Sequence, residues 1–184
     1  MNKKIKHSSI LIFVLIVLNV VNQSFYKRFD LTKDQRYTLS ETTTNIISKI
    51  DKNLFITVYL EGDFPSEFKR LQLETRQYLE ELVAKNQKIK ITFQNPDTQR
   101  EALIKKGMLP SQLTVEEDGK MSEAIIFPWA AINYGKKTAI VSLLPAAIVA
   151  SQEAQLQSAI ENLEYSFSNA IHSVNQKEQK KIGI

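Results

Sequence analysis

The apolar residues recur with two different spacings along the chain, which predict a mixture of strands and helices. Residues 54–60 are rich in β-branched and aromatic side chains and apolar on both faces, which is typical of a strand covered on both sides. Residues 89–93 alternate between apolar and polar side chains and predict a second strand. Three further strands are predicted at residues 112–116, at residues 124–134 with a bulge or an edge at Pro128, and at residues 138–143.

Apolar residues that recur every three or four positions predict four helices. The helices are predicted after the N-cap Ser40, after Pro65, over residues 98–106 with Asp97 as the cap and Gly107 at the end, and as one long helix from about Ser151. The buried stripe of the second helix is predicted to consist of Phe68, Leu71, Thr75, Tyr78, Leu79, Leu82 and Val83.

The order of these elements predicts an α/β fold. Two strands joined by a crossover helix are expected to be parallel with a right-handed connection, and the later hairpins are expected to be antiparallel. A mixed sheet with helices on both faces is the thioredoxin-like arrangement. We therefore predict a thioredoxin-like domain that follows one N-terminal transmembrane helix, although a fold of this kind does not by itself determine a function.

The first 29 residues carry the features of a membrane anchor. The apolar run at 10–21 contains a single polar residue, Asn19, and is shorter than the hydrocarbon core of about 30 Å. Two aromatic residues extend the run towards the interface, and residues 27–28 are basic. The predicted anchor consists of Ile10, Leu11, Ile12, Phe13, Val14, Leu15, Ile16, Val17, Leu18, Val20, Val21, Phe25 and Tyr26.

Two alternatives to an uncleaved anchor are a cleaved signal peptide and a buried core helix. A cleaved signal needs small residues at its cleavage site, and the sequence after Val21 has no Ala-x-Ala-like step. Three lysines before His7 and the free amino terminus outweigh the two basic residues that follow the anchor. The positive-inside tendency therefore keeps the short tail cytoplasmic and places the body across the membrane.

Charge and composition exclude several classes of function. Five of the 24 basic residues and none of the 20 acidic residues precede Asp30, so the body is almost neutral and lacks the charge of a nucleic-acid-binding domain. The chain has no cysteine, which excludes disulfides, thiolate zinc sites and dithiol redox chemistry. Its two histidines argue against a multi-histidine metal site. No metal and no cofactor is predicted.

The sequence contains no catalytic constellation. Glu61 and Asp63 are interpreted as a solvated loop with helix capping, with an acid pair as the alternative. Residues 116–118 are interpreted as a hairpin tip, since calcium loops need alternating oxygen ligands. His172 falls next to a buried stripe and is expected to be an exposed helical residue. These interpretations predict a protein that is not an enzyme.

Two aromatic residues are the candidates for a binding groove. Trp129 and Tyr134 follow the irregularity at Pro128 and could line a groove for a protein partner, a sugar or a peptide. The alternative is that both pack in the core and the hairpin. The lysines at residues 136–137 are interpreted as the solvated tip of a turn.

One segment resembles a known family. Residues 29–40, with the sequence FDLTKDQRYTLS, come directly after the anchor and are similar to the gliding-motility-associated ABC transporter auxiliary proteins of Bacteroidota, the G subunit of that system. Residues 56–63 and 68–71 share the resemblance. Residues 127–130, followed by residues 134–135, are similar to the middle hairpin of the family.

The resemblance implies a role in a membrane assembly. It implies a periplasmic protein held in the inner membrane, which works with an ABC permease and, through it, with an ATPase subunit in gliding motility or protein secretion. We expect a non-enzymatic module that binds protein partners. Two alternatives are a periplasmic protein that binds a sugar or a peptide, and an enzyme whose active site lies in a missing C-terminal part.

The resemblance also bears on the domain organisation, because members of that family carry a further α/β domain and a C-terminal membrane helix. The predicted domains are a cytoplasmic tip with the anchor at 1–29, the thioredoxin-like domain with an N-terminal stalk at 30–178, and the start of a truncated second domain at 179–184. The stalk at 29–39 is predicted to dock Tyr37 and Leu39 on the folded domain, with a loose tether as the alternative.

The anchor prediction can be tested by placing charges at its centre. Replacing Leu15 and Ile16 with arginine should release the chain from membranes or block its export, because each central charge costs about 2.5–3.5 kcal/mol of insertion free energy. Membrane fractionation measures the effect. A mature N-terminus near Asn22 or Ser24, found by mass spectrometry, would instead show a cleaved signal peptide.

Overall fold

The computed structural model describes residues 38–62, 64–117, 120–144 and 151–176, without the side chains of residues 67 and 113–124. All of them lie in the second of two compact units, Met1–Arg36 and Tyr37–Ile184. The predicted anchor at 10–26, the stalk up to residue 37 and the predicted start of a second domain at 179–184 lie outside the described residues and stay predictions. Among the described helices, none combines the length and the apolar character needed to cross a membrane.

Helices and strands account for most of the described residues. The helices are α1 (Glu41–Ser48), α2 (Ser66–Lys85), α3 (Arg100–Lys105), α4 (Gln152–Glu161) and α5 (Leu163–Asn175). The strands are β1 (Leu54–Val58), β2 (Ile89–Phe93), β3 (Ser111–Glu117), β4 (Lys120–Ile126), β5 (Trp129–Tyr134) and β6 (Lys137–Ser142). Every predicted strand and helix is present, and the differences lie in where some of them begin or break.

Four strands form one mixed sheet in the order β2-β1-β5-β6. β1 is parallel to β2, and β5 is antiparallel to both β1 and β6. β3 and β4 form a separate, two-stranded antiparallel sheet. The predicted α/β fold with a mixed sheet, a parallel first pair and antiparallel later hairpins is therefore confirmed.

The run predicted as one strand at 124–134 is two strands in different sheets, so that prediction was wrong. β4 ends at Ile126, β5 begins at Trp129, and Pro128 lies between them. Proline has no backbone N–H and cannot donate to a strand ladder. The Trp129 N–H instead donates to the Phe127 carbonyl at 2.8 Å, in a tight turn that moves the chain from one sheet to the other.

The long helix predicted from Ser151 is also interrupted. Its N-cap is as predicted, since the Ser151 hydroxyl accepts a hydrogen bond from the Ala154 N–H at 3.2 Å. The helix then breaks at Asn162 into α4 and α5. The Asn162 side-chain amide donates to the Ser158 carbonyl at 2.8 Å and so competes with the backbone for that acceptor.

The third helix begins later than predicted. α3 starts at Arg100, and its N-cap is Gln99, which makes no capping hydrogen bond. Asp97 was predicted as the cap, but its carboxylate lies 2.6 Å from the Arg100 guanidinium. Gly107 ends this segment with φ at 85°, a conformation that glycine adopts at no steric cost, as predicted.

One face of the sheet is buried beneath α1, α2, α4 and α5, and alternate residues of the central strands supply its apolar side chains. Burial of each large side chain contributes about 1.5–3 kcal/mol. In β1 and β5 these residues are Leu54, Ile56, Val58, Ala130 and Ile132, each at most 1% exposed. The predicted stripe of α2 is buried in the same layer at Phe68, Leu71, Thr75, Tyr78, Leu79 and Leu82, with Val83 partly buried.

The opposite face carries a smaller apolar cluster near the carboxyl end of β1. α3 contributes Leu103 to this cluster, so helices contact both faces of the sheet. The cluster consists of Tyr59, Leu103, Met108, Phe127 and Ala131, with Trp129 packed against it.

The end of the predicted stalk docks on the main core. Leu39 is partly buried against it, and the Ser40 hydroxyl accepts a hydrogen bond from the Thr43 N–H at 3.1 Å, which confirms the predicted N-cap. The Ser40 N–H donates to the Glu164 carboxylate of α5 at 2.8 Å. The docking predicted for Leu39 is therefore confirmed, while Tyr37 lies outside the described residues.

Replacing Leu39 with serine should lower the free energy of unfolding by about 1 kcal/mol, because the half-buried side chain gives up apolar contacts. Urea unfolding followed by circular dichroism measures the change. Thr38→Ser is the matched control, since Thr38 is exposed and should tolerate the change. Equal stability of the two variants would show that the contact at Leu39 contributes nothing.

Candidate functional site

Trp129, the first predicted groove residue, lies at the start of β5. Its indole N–H donates to the Leu109 carbonyl at 2.6 Å, and its ring packs against the cluster on the second face. The side chain therefore fixes the segment after α3 against the sheet.

Tyr134, the second predicted groove residue, is the last residue of β5. It lies five positions after Trp129, which places the two side chains on opposite faces and roughly 17 Å apart along the strand. The structure does not bring them together, and they do not line one groove.

The Tyr134 hydroxyl instead contacts the loop between α1 and β1. It donates a hydrogen bond to the Asp51 carboxylate, and the Asp51 N–H donates to the tyrosine oxygen at 3.4 Å. The hydrogen bond from Tyr134 lowers the pKa of Asp51, helped by the positive charges of Lys52 and Lys88. The same hydrogen bond raises the pKa of the Tyr134 hydroxyl. This pair therefore links the start of β1 to the end of β5.

An open cleft of about 690 Å³ surrounds this pair, and we name it the basic cleft. It lies where the loop before β1, the turn between β5 and β6, and the end of α5 meet. The basic cleft is lined by Lys49, Asp51, Lys52, Tyr134, Gly135, Lys136, Lys137, Val174, Asn175 and Gln176.

Sequence reasoning interpreted residues 136–137 as a solvated tip and missed the cleft. The signal that could have found it is the pairing of β1 with β5. Leu54 pairs with Tyr134, so residues just before β1 must lie beside residues just after β5. Two lysines occur in residues 49–53, and two more occur in residues 135–137.

A second candidate surface is the part of the sheet that the smaller cluster leaves uncovered. Phe55 lies between Lys90 and Asn133 in the register, and Ala131 lies between Thr57 and Ile140. Phe55 is 51% exposed and Ile140 is 42% exposed. We name the surface formed by Phe55, Thr57, Asn133, Thr138 and Ile140 the open face.

The predicted solvated acids and histidine have ordinary roles where they are described. The capping role predicted for Glu61 is wrong, because the N-cap of α2 is Pro65 and no side chain of the described residues caps the helix. Glu61 instead forms an ion pair with Arg76 at 3.0 Å, and the Arg76 guanidinium lies 3.7 Å from the centre of the Phe93 ring. Asp63 lies outside the described residues. His172 is exposed on α5, as predicted, with a ring nitrogen 2.9 Å from the Gln176 amide. Among the described residues, no three acidic or histidine side chains are grouped so that they could hold a metal ion.

Replacing Tyr134 with phenylalanine should raise the pKa of Asp51 towards its ordinary value of about 3.9. The lowered pKa gives stability that is present above the unfolded value and is lost as the pH falls through the folded value. The variant should therefore lose stability less steeply with acid. Carboxyl NMR titration measures the pKa, and Tyr165→Phe, at a residue 72% exposed, is the control. An unchanged pKa of Asp51 in the Tyr134 variant would contradict the assigned cause.

Comparison with known proteins assigns the chain to a family. No curated protein matches the chain, and neither does any solved structure. A family model described as a domain of unknown function (DUF7088) matches residues 33–133, from the predicted stalk to β5. The match covers more than half of the 184 residues, so the chain belongs to the DUF7088 family.

Proposed function

We propose that the chain is a membrane-anchored, extracytoplasmic auxiliary subunit of an ABC-type transporter complex, linked to gliding motility or protein secretion. It is a non-enzymatic module that binds a protein partner through the open face. The partner is the ABC permease and, through it, the ATPase subunit. The exposed apolar side chains of the open face carry this proposal.

The proposed domain is thioredoxin-like. The strand order β2-β1-β5-β6, with a parallel first pair and antiparallel neighbours, supports this assignment. The hairpin of β3 and β4 is then an insertion between α3 and β5. Thioredoxin-type enzymes carry a reactive dithiol in the loop after the first strand, and here that loop is residues 61–65, without cysteine. The fold then serves as a scaffold for binding.

The open face has the character of a protein-binding surface. Phe55 and Ile140 lie in adjacent rows of the sheet, with Thr57 and Ala131 between them in the register. Exposed apolar side chains on one sheet face can be covered together by a single partner. Full burial of each large side chain by a partner would contribute about 1.5–3 kcal/mol before the costs of association.

Two more exposed apolar residues lie in α3 and the residues that follow it, which cover the same sheet face near the carboxyl end of β1. Ile104 of α3 is 43% exposed, and Leu109, whose carbonyl accepts from Trp129, is 58% exposed. An interface that begins on the open face and continues across this segment would bury apolar side chains from both.

The predicted anchor restricts where the partner lies. Twelve residues separate Tyr26, at the end of the predicted anchor, from Leu39, which docks on the core. Even fully extended, these residues span at most about 45 Å. A permease in the same bilayer is then within reach of the domain.

Site-directed photocrosslinking tests the proposal, because the native chain contains no cysteine. Phe55→Cys and Ile140→Cys, labelled with a photoreactive maleimide in spheroplasts of the native host, should crosslink to an ABC permease subunit identified by mass spectrometry. Tyr165→Cys is the control, since Tyr165 lies on α5, away from the open face, and is 72% exposed. The control should give little or no permease adduct.

Two results would contradict the proposal. One is that neither of the two positions on the open face gives a permease adduct. The other is equal crosslinking from all three positions, which would mean that contact is not specific to that face. Thermal stabilisation of the chain by a sugar or a peptide would favour the solute-binding alternative.

A further inference from the structure

Lysines outnumber acids among the described residues that line the basic cleft. Lysines at residues 49, 52, 136 and 137 line it, and all four are exposed. Among the described residues that line the cleft, Asp51 is the only acid, and its carboxylate accepts the hydrogen bond from Tyr134. Like charges held around one concave surface repel one another, so the cleft favours the entry of an anion.

One of these lysines donates a hydrogen bond within the fold, and the described contacts show none for the other three. The Lys137 ammonium donates a hydrogen bond to the carbonyl of Gln176, at the end of α5, where a cation is favoured. Within the described ranges, the ammonium groups of Lys49, Lys52 and Lys136 make neither an ion pair nor a hydrogen bond. These three groups are available to a ligand.

The framework around the three lysines is fixed. The hydrogen bond between Tyr134 and Asp51 links the two loops that carry them. The Asn86 side-chain amide donates to the carbonyl of Ile47 at 2.8 Å and to that of Ile50 at 3.2 Å, which holds the end of α1 and the loop that follows it. The cleft is therefore built before any ligand arrives, which limits the ordering that binding requires.

We propose that the basic cleft binds a ligand with phosphate chemistry, through Lys49, Lys52 and Lys136. Several lysines line the cleft, and each presents a point charge with three hydrogen-bond donors, as the lysines of phosphate-binding sites do. A group with several anionic oxygens matches such an arrangement. The volume of about 690 Å³ is within the usual range for small-molecule sites.

This proposal is independent of the one for the open face. The cleft lies at the amino end of β1, on the side of α1 and α5, whereas Phe55 and Ile140 belong to the opposite face of the sheet. A phosphate group in this cleft could belong to a soluble molecule or to the headgroup of an anionic lipid. Both sources share the chemistry that the lysines recognise.

Isothermal titration of the full chain in a neutral detergent tests the proposal with three probes. Pyrophosphate represents a soluble phosphate, and glycerophosphoglycerol represents the headgroup of an anionic lipid. Glycerophosphocholine is the matched probe without net charge. Binding of pyrophosphate or glycerophosphoglycerol, with little binding of glycerophosphocholine, is expected, and it should weaken as sodium chloride rises from about 50 to about 500 mM.

A matched pair of double variants locates the site. Lys52→Gln with Lys136→Gln should weaken the binding of the anionic probe by about tenfold or more. Lys105→Gln with Lys106→Gln removes the same charge from exposed residues at the end of α3 and should leave the affinity within about twofold of the native value. Circular dichroism checks that both variants stay folded.

The outcomes are distinct. Cleft-dependent binding of pyrophosphate assigns a soluble phosphate ligand, and cleft-dependent binding of glycerophosphoglycerol alone assigns a lipid headgroup. The proposal is overturned when neither anion binds, when glycerophosphocholine binds as tightly as the anions, or when the two double variants weaken binding equally. Equal weakening would show that the probes respond to overall charge rather than to the cleft.

Discussion

The position of β1 between a parallel and an antiparallel neighbour is the constraint on which the rest of the structure depends. β1 pairs with β2 on one side and with β5 on the other, and Leu54, Ile56 and Val58 are almost completely buried. Because side chains alternate along a strand, this burial directs Phe55 to the opposite face. The same register places the loop before β1 beside the turn after β5. One strand therefore determines both the open face and the basic cleft.

The local spacing of apolar residues was sufficient to predict the helices and strands. It failed where a single residue changes the direction of the backbone. The three-and-four spacing of α2 predicted its buried stripe, since one helix face must be covered. Periodicity did not show that Pro128 separates two sheets or that Asn162 divides the last helix. At both places the apolar pattern continues across the break. Whether the strand or the helix breaks there depends on hydrogen-bond partners that are distant in sequence or that compete with the backbone for an acceptor.

The candidate sites were predicted less well than the fold. Trp129 and Tyr134 are close in sequence and carry groups typical of binding sites, but an odd spacing along a strand puts them on opposite faces. The lysines of the basic cleft come from segments more than eighty residues apart and are unremarkable within each segment. Only the antiparallel pairing of β1 with β5 brings them together. A predicted topology, followed to its loop ends, would have been the better guide.

The buried contact between the hydroxyls of Thr43 and Ser168, 2.8 Å apart, joins the first described helix to the last across 125 positions of sequence. Such a contact closes a long loop, and it cannot form before both of its residues are present in the chain. The domain cannot complete its fold until α5 has been synthesised. For a body that we predict to lie across a membrane, late closure keeps the emerging chain open, and an open chain is the form that can be threaded through a narrow pore.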